Sequence, residues 1–178
     1  MKKLMLAGAL ALFGATTMNA QTEKGNWLVG SDVMGMRFTN GLNVQLSPKG
    51  AYFIQDKWAV GANVSLGIYK ANGSSTTQTN WGITPFTRYY FNDAEVKGGT
   101  FFGEGSLGFG GVNSGSGSTT NGVTLGVGAG YAYFITKNIS LEGLLKFSTI
   151  TGGGNTTGNG NLDLGVGFSI FLPTSTLK

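Results

Sequence analysis

The segment from Asn161 to Leu172 changes character at every residue. Leu162, Leu164, Val166, Phe168, Ile170 and Leu172 share one parity, and Asp163, Gly165, Gly167, Ser169 and Phe171 share the other. Only an extended strand turns period-two alternation into two faces. One face is apolar without a break, and the other is mostly small or polar. The same pattern recurs along the chain between loops rich in Gly, Asn, Ser and Thr. A ring of such strands, apolar face toward lipid and tight polar face inward, leaves no edge and no unpaired backbone group in the bilayer. The expected fold class is therefore all-β, an eight-stranded antiparallel up-and-down transmembrane β-barrel.

Composition supports this reading where hydropathy alone is silent. Charged residues are 11% of the 178, well below the quarter usual in soluble domains, and the apolar fraction of 40% is ordinary. A barrel hides from average hydropathy because half of each strand faces inward. The 32 glycines follow no three-residue period, and many lie inside the alternating segments, so neither collagen nor a flexible linker fits.

Residues 1–20 read as a secretory signal peptide. Lys2 and Lys3 form the charged start, Leu4 to Phe13 the apolar centre, and Gly14 to Ala20 the cleavage region. The apolar run is half the roughly 20 residues a spanning helix needs. Residues 21–178 are expected to form a single outer-membrane β-barrel domain. Without Lys2 and Lys3 that chain carries 10 basic and 8 acidic residues, a net charge of +2 (10 − 8). The basic residues are scattered, which leaves no patch for nucleic acid. Cysteine and histidine are both absent. That removes disulfides, thiol chemistry, a lipoprotein anchor, and His-based triads, switches and metal sites. No catalytic residue, cofactor or metal site is expected.

Eight alternating segments can be laid out: Trp27 to Phe38, Leu42 to Ile54, Trp58 to Lys70, Trp81 to Asn92, Thr100 to Gly111, Gly122 to Ile135, Ile139 to Ile150, and Asn161 to Leu172. Pro48-Lys49-Gly50 predicts a bulge or kink in the second. The connections alternate in kind. Those after the second, fourth and sixth segments are short and charged, and those after the third, fifth and seventh are longer and uncharged. Tight turns inside and long loops outside are the arrangement of a barrel with both termini in the periplasm.

Parity assigns the faces. In the third segment Val60, Ala62, Val64, Leu66 and Ile68 oppose Ala59, Gly61, Asn63, Ser65 and Gly67. Charges fall on the inward parity: Arg88, Glu104, Glu142, Lys146 and Asp163, with Asp32 and Lys49 expected to join them. An Arg or Lys facing lipid at midplane costs roughly 2–4 kcal/mol, and a charge in a narrow interior needs a partner. An interior ion-pair network is the economical arrangement, with Arg88 and Glu104 on adjacent segments as a direct pair. Tyr52, Trp58, Tyr89, Phe91, Tyr131 and Tyr133 gather near the charged turns, as an interfacial aromatic girdle requires. Arg37 and Lys70 lie at the other end, where outward parity suits contact with lipid headgroup phosphates or simple snorkelling.

These features resemble the small eight-stranded outer-membrane β-barrel family, the class of the OmpA transmembrane domain and the OmpX and OmpW types. The residues carrying the resemblance are Gly25-Asn26-Trp27, Thr84-Pro85-Phe86-Thr87-Arg88-Tyr89-Tyr90-Phe91, and the Gly-rich sixth and eighth segments. The leader ending Asn-Ala-Gln is similar to those of Bacteroidetes-type secreted proteins. The resemblance implies residence in the cell outer membrane, outer-membrane lipids and the barrel-assembly machinery as partners, and a monomer. The recognition strand for that machinery would be Leu164 to Leu172, with six residues following it. The function expected is non-enzymatic, structural or surface-interacting, with a side-chain-filled interior. A narrow OmpW-like channel for small or apolar molecules is the alternative, which inward Phe102, Phe134 and Phe171 would obstruct. A soluble lipocalin-like binding barrel is a second, suggested by Gly25-Asn26-Trp27, but it needs polar residues outside and an apolar cavity within.

Overall fold

A computed structural model describes residues 22–37, 41–71, 73, 75–92, 98–113, 115, 119–152 and 160–174. The expected leader, residues 1–20, lies outside the described residues. Eight strands follow in order: β1 (Trp27–Arg37), β2 (Gly41–Gln55), β3 (Trp58–Ala71), β4 (Gln78–Tyr90), β5 (Gly99–Asn113), β6 (Thr119–Thr136), β7 (Ile139–Thr151) and β8 (Gly160–Leu172). Each pairs antiparallel with the next, and β8 closes on β1, so no edge remains. The strands run past their expected starts at the loop end. β4 begins at Gln78 and β6 at Thr119, because polar Thr and Asn extend a ladder as readily as they form a loop.

The register fixes the tilt. From Trp27, direct partners lead through Tyr52, Val60, Thr87, Gly105, Val127 and Phe147 to Leu162. On the closing seam, however, Trp27 faces Leu172, so one circuit climbs ten residues (172 − 162). At about 3.3 Å per residue along a strand and about 4.8 Å between strands, this is a tilt of about 40°. Strands of 11 to 18 residues at that tilt cross a bilayer with length to spare.

The expected bulge at Pro48 is absent. Ser31↔Pro48 and Lys49↔Asn63 keep the registers of their ladders. What Pro48 does instead is remove pairing: β2 and β3 lose contact between Leu46↔Leu66 and Lys49↔Asn63. Proline has no N–H to give the ladder and its ring still fits an extended strand. Pro85 opens the same kind of gap between β4 and β5. The register shifts lie elsewhere, after Met34 in β1, after Phe53 in β2 and after Phe134 in β6. The shift in β2 leads into the turn Asp56–Lys57, where Lys57 takes a left-handed φ of 66°.

The burial pattern is inverted relative to a soluble protein. Leu66, Ile83, Leu107, Leu125, Val127, Leu162 and Leu164 are more than half exposed around the outside, whereas Arg88 is 1% exposed. A surface of this kind is stable against lipid and not against water. The soluble lipocalin-like alternative is thereby overturned, since it needs the reverse arrangement.

The end bearing the turns Asp56–Lys57 and Thr136–Asn138, called the turn end, also holds the first and last described residues, Thr22 and Thr174. There Gly25 N donates to the Phe53 carbonyl (2.9 Å), Lys57 N donates to the Thr22 carbonyl (2.6 Å), and Thr174 Oγ1 donates to the Gly25 carbonyl. The opposite end is the loop end.

Candidate functional site: the barrel interior

The interior has three layers. At the turn end Leu28, Phe53, Tyr90, Phe102, Phe134 and Phe171 are fully buried. Phe171 is the hub, with ring centroids 6.1 Å from Phe53, 6.3 Å from Tyr90 and 5.2 Å from Phe134. Tyr90 in turn meets Phe53 and Phe102 at 5.9 and 5.6 Å. These distances are those of favourable tilted and edge contacts. Small residues around them make the fit possible. A Cβ on Gly130 would fall 2.3 Å from the Phe102 ring and 2.5 Å from the Gly143 carbonyl oxygen.

Charges form the middle layer. Arg88 on β4 reaches two carboxylates: Glu104 on β5, with Nη2 2.7 Å and Nε 3.1 Å from Oε2, and Glu142 on β7, with Nη1 2.8 Å from Oε2. Lys49 on β2 donates to the same Glu142 oxygen at 2.7 Å and to Asp32 on β1 at 2.8 and 3.1 Å. Lys146 on β7 donates to Glu104 Oε1 at 3.2 Å. Ser140 Oγ donates to the other Glu142 oxygen, Oε1, at 3.2 Å. The Arg88 guanidinium also lies 4.0 Å from the centroid of the Phe102 ring, which joins this layer to the aromatic one. All six charged residues are buried, and three acids balance three bases. Neutrality and multiple hydrogen bonds are what make buried charge tolerable.

Glycines clear the space for this layer. A Cβ on Gly167 would fall 2.1 Å from Asp32 Oδ1, and one on Gly126 2.7 Å from the Lys146 side chain. Leu144, not anticipated from the sequence, is buried on the same inward parity, between Glu142 and Lys146. Asp163 does not join the cluster. It is the direct strand partner of Lys146 and is half-buried, but makes no ion pair or hydrogen bond among the described residues.

The third layer, toward the loop end, is lined among the described residues mostly by small and polar side chains, with the larger Gln45 in it and Tyr69 and Gln78 at its rim. Its other inward positions include Asn63, Ser65, Gly67, Asn80, Gly82, Thr84, Ser106, Gly108, Gly110, Thr124, Gly126, Ser148 and Asp163. Asn80 Nδ2 donates to Gln45 Oε1 at 3.4 Å, and Ser65 Oγ donates to the Gly82 carbonyl at 3.5 Å. The polar side chains here are half-buried, whereas Thr100, Ser140 and Ser169 on the same face at the turn end are fully buried. Water therefore enters from the loop end.

Outside, Tyr52, Trp58, Tyr89, Phe91, Tyr131 and Tyr133 are all exposed at the turn end, together with Trp27 and Phe101. Trp27 packs on Tyr52 at 5.1 Å, Tyr89 on Phe91 at 5.8 Å, and Phe101 on Tyr131 at 4.9 Å. Trp81 and Phe109, 6.0 Å apart, lie nearer the loop end. Trp27 and Phe101 were legible by parity from their own strands. Lys70 is exposed at the loop end of β3; Arg37 is the last residue of β1, and its side chain lies outside the described residues. No cluster of side chains able to hold a metal ion occurs among the described residues.

Comparison with solved structures places this architecture. The N-terminal β-barrel domain of Pseudomonas aeruginosa OprF superposes with a TM-score of 0.57 at 18% identity, covering 84% of this chain and 98% of that domain. Neisserial surface protein A gives 0.56 at 18% identity, over 82% and 95% of the two chains. The outer-membrane protein OprG from Pseudomonas aeruginosa gives 0.51 at 12% identity, over 87% and 100%. The chain thus has the fold of the small eight-stranded outer-membrane β-barrels. No protein-family model and no curated protein sequence matches it.

Proposed function

We propose that this protein is a monomeric, non-enzymatic outer-membrane barrel whose interior is closed to diffusion and whose role is structural or surface-interacting. The supporting observation is the pair of stacked layers, with the fully buried rings of Phe53, Tyr90, Phe102, Phe134 and Phe171 beneath a neutral set of six buried charges. An ion crossing that region must displace aromatic rings and strip charge-assisted hydrogen bonds together. The orientation follows the usual asymmetry, with charged turns and both termini in the periplasm and uncharged loops outside. Residues 1–20 serve as the cleaved leader, residues 21–178 form the single mature domain, and Leu164 to Leu172 within β8 is the segment offered to the assembly machinery. Lys70, exposed at the loop end of β3, and Arg37, by sequence parity, are assigned to contact with the headgroup phosphates of the outer leaflet. Replacing both by Gln should reduce lipopolysaccharide co-purification, and unchanged co-purification removes that role.

Planar-bilayer recording tests the closed interior. The purified barrel should insert without unitary conductance steps. Reproducible steps that persist across preparations would replace this reading with a narrow channel.

A further inference from the structure

We propose that residues 22–24 form a latch that holds the aromatic layer shut from the turn end, and that lifting this latch lets Tyr90 move. A hydrogen-bonded line runs from the segment into the charged layer. The Thr22 carbonyl accepts from Lys57 N at 2.6 Å, and the Lys57 carbonyl accepts from Tyr90 N at 2.8 Å. The fully buried Tyr90 ring packs on Phe53, Phe102 and Phe171, and its hydroxyl accepts from Arg88 Nη1 at 3.4 Å. The backbone of one turn residue, Lys57, therefore connects the start of the barrel chain to a ring in the middle of the layer.

The docked segment has the properties of a releasable element. Thr22, Glu23, Lys24, Gly25 and Asn26 include no large apolar side chain, so hydrogen bonds rather than hydrophobic burial hold it down. Thr22 is nonetheless buried, while Glu23 and Lys24 stand in solvent. Lys24 N donates to Asp56 Oδ1 at 2.8 Å, and Asn26 N donates to the Glu23 carbonyl at 3.2 Å. Gly25, at a φ of 94° and with its N–H on the Phe53 carbonyl, is the hinge. Docking also coincides with the left-handed φ of Lys57, which strains a residue bearing a side chain. Lifting the segment takes the Thr22 acceptor away from Lys57 N, so the turn can relax and carry the acceptor of Tyr90 N with it. The other side of the layer is fastened differently. Phe171 N donates to the Asn138 carbonyl at 2.8 Å, Asn138 Nδ2 donates to the Phe171 carbonyl at 2.9 Å, and Phe134 N donates to the Gly98 carbonyl at 2.9 Å. Release therefore acts on the Tyr90 side of the layer.

The latch rests on the closed interior proposed above, yet the two fail separately. Unitary conductance by the wild type would defeat the closed interior, whereas amide exchange rates decide the latch. Backbone amide hydrogen exchange is followed by NMR in the chain from residue 21 onward, folded in detergent micelles. The wild type is compared with a variant lacking residues 22–24 and with Asp56→Ala, which leaves every strand pair in place. In the wild type the Lys57 amide should exchange at least about a hundredfold more slowly than a free turn amide. Removing residues 22–24 should speed exchange at Lys57 and Tyr90 at least about tenfold, the scale of one lost hydrogen bond, and Asp56→Ala at least about threefold. Phe134 and Phe171 should change by less than about twofold in both variants. A wild-type Lys57 amide that exchanges like a free turn overturns the latch, however the variants fold. Faster exchange at Lys57 with Tyr90 unchanged also overturns it, because the segment would then cover the turn without holding the ring. Acceleration at Phe134 and Phe171 equal to that at Tyr90 overturns it as well, since that is general loosening of the barrel.

Discussion

Replacing Glu142 by Gln probes whether the charged layer is dry and mutually dependent. One oxygen of Glu142 accepts from Lys49 at 2.7 Å and from Arg88 at 2.8 Å. The amide keeps the shape and one acceptor but removes the charge, which turns a neutral cluster into one with an excess of +1. Removing one partner of a buried ion pair costs about 3–5 kcal/mol. Here each cation retains a second carboxylate, Asp32 for Lys49 and Glu104 for Arg88, so the cost should sit near the lower bound, about 3 kcal/mol. The assay is equilibrium urea unfolding of the barrel in lipid vesicles, followed by tryptophan fluorescence. With a slope of about 2 kcal/mol per molar, the midpoint should fall by roughly 1.5 M. Asp163→Asn is the reference. Because Asp163 has no ion-pair partner among the described residues, its midpoint should move by less than about 0.5 kcal/mol equivalent. A loss below about 1 kcal/mol for Glu142→Gln would refute the reasoning, because it would mean that water already solvates these charges.

Three further outcomes follow from the geometry. Unboiled protein should migrate differently from boiled protein on an SDS gel, because a closed eight-stranded ring resists the detergent until heated; identical mobility would contradict closure. Gly130→Val should abolish that mobility shift, since its Cβ would overlap the Phe102 ring, while Gly143→Val, which meets nothing within 4 Å on the lipid side, should retain it. Leu145→Arg, exposed on the outer face of β7, should destabilise the barrel in vesicles by about 2–4 kcal/mol, measured by the same urea titration.

The sequence makes the strands and their faces legible because strand parity is a local property: residue i fixes the side on which i + 2 lies. Arg88 and Glu104 are within that reach as well, since β4 and β5 are consecutive and the two residues are direct partners. Glu142 meeting Lys49 is not, because β2 and β7 are not neighbours and their approach depends on how far the ring climbs in one circuit. The same holds for the aromatic layer. Phe53, Tyr90 and Phe171 come from β2, β4 and β8, and their common height follows from shear rather than from any local pattern. Pro48 shows a different limit. Proline signals a broken ladder in the sequence, but only the neighbouring strands decide whether the break becomes a bulge or a plain gap.

The hydrogen bond from Thr174 to Gly25 holds the first and last strands' outer ends side by side. Seen from the finished barrel, the chain is therefore a nearly closed loop of eight hairpin legs, and its starting point is a matter of synthesis rather than of architecture. A short peptide joining the two ends and a new opening cut between β3 and β4 would place β4 first and β3 last with every strand pairing retained. Such a permuted chain would carry a different C-terminal strand, separating what the folded barrel requires from what the cell's assembly pathway reads.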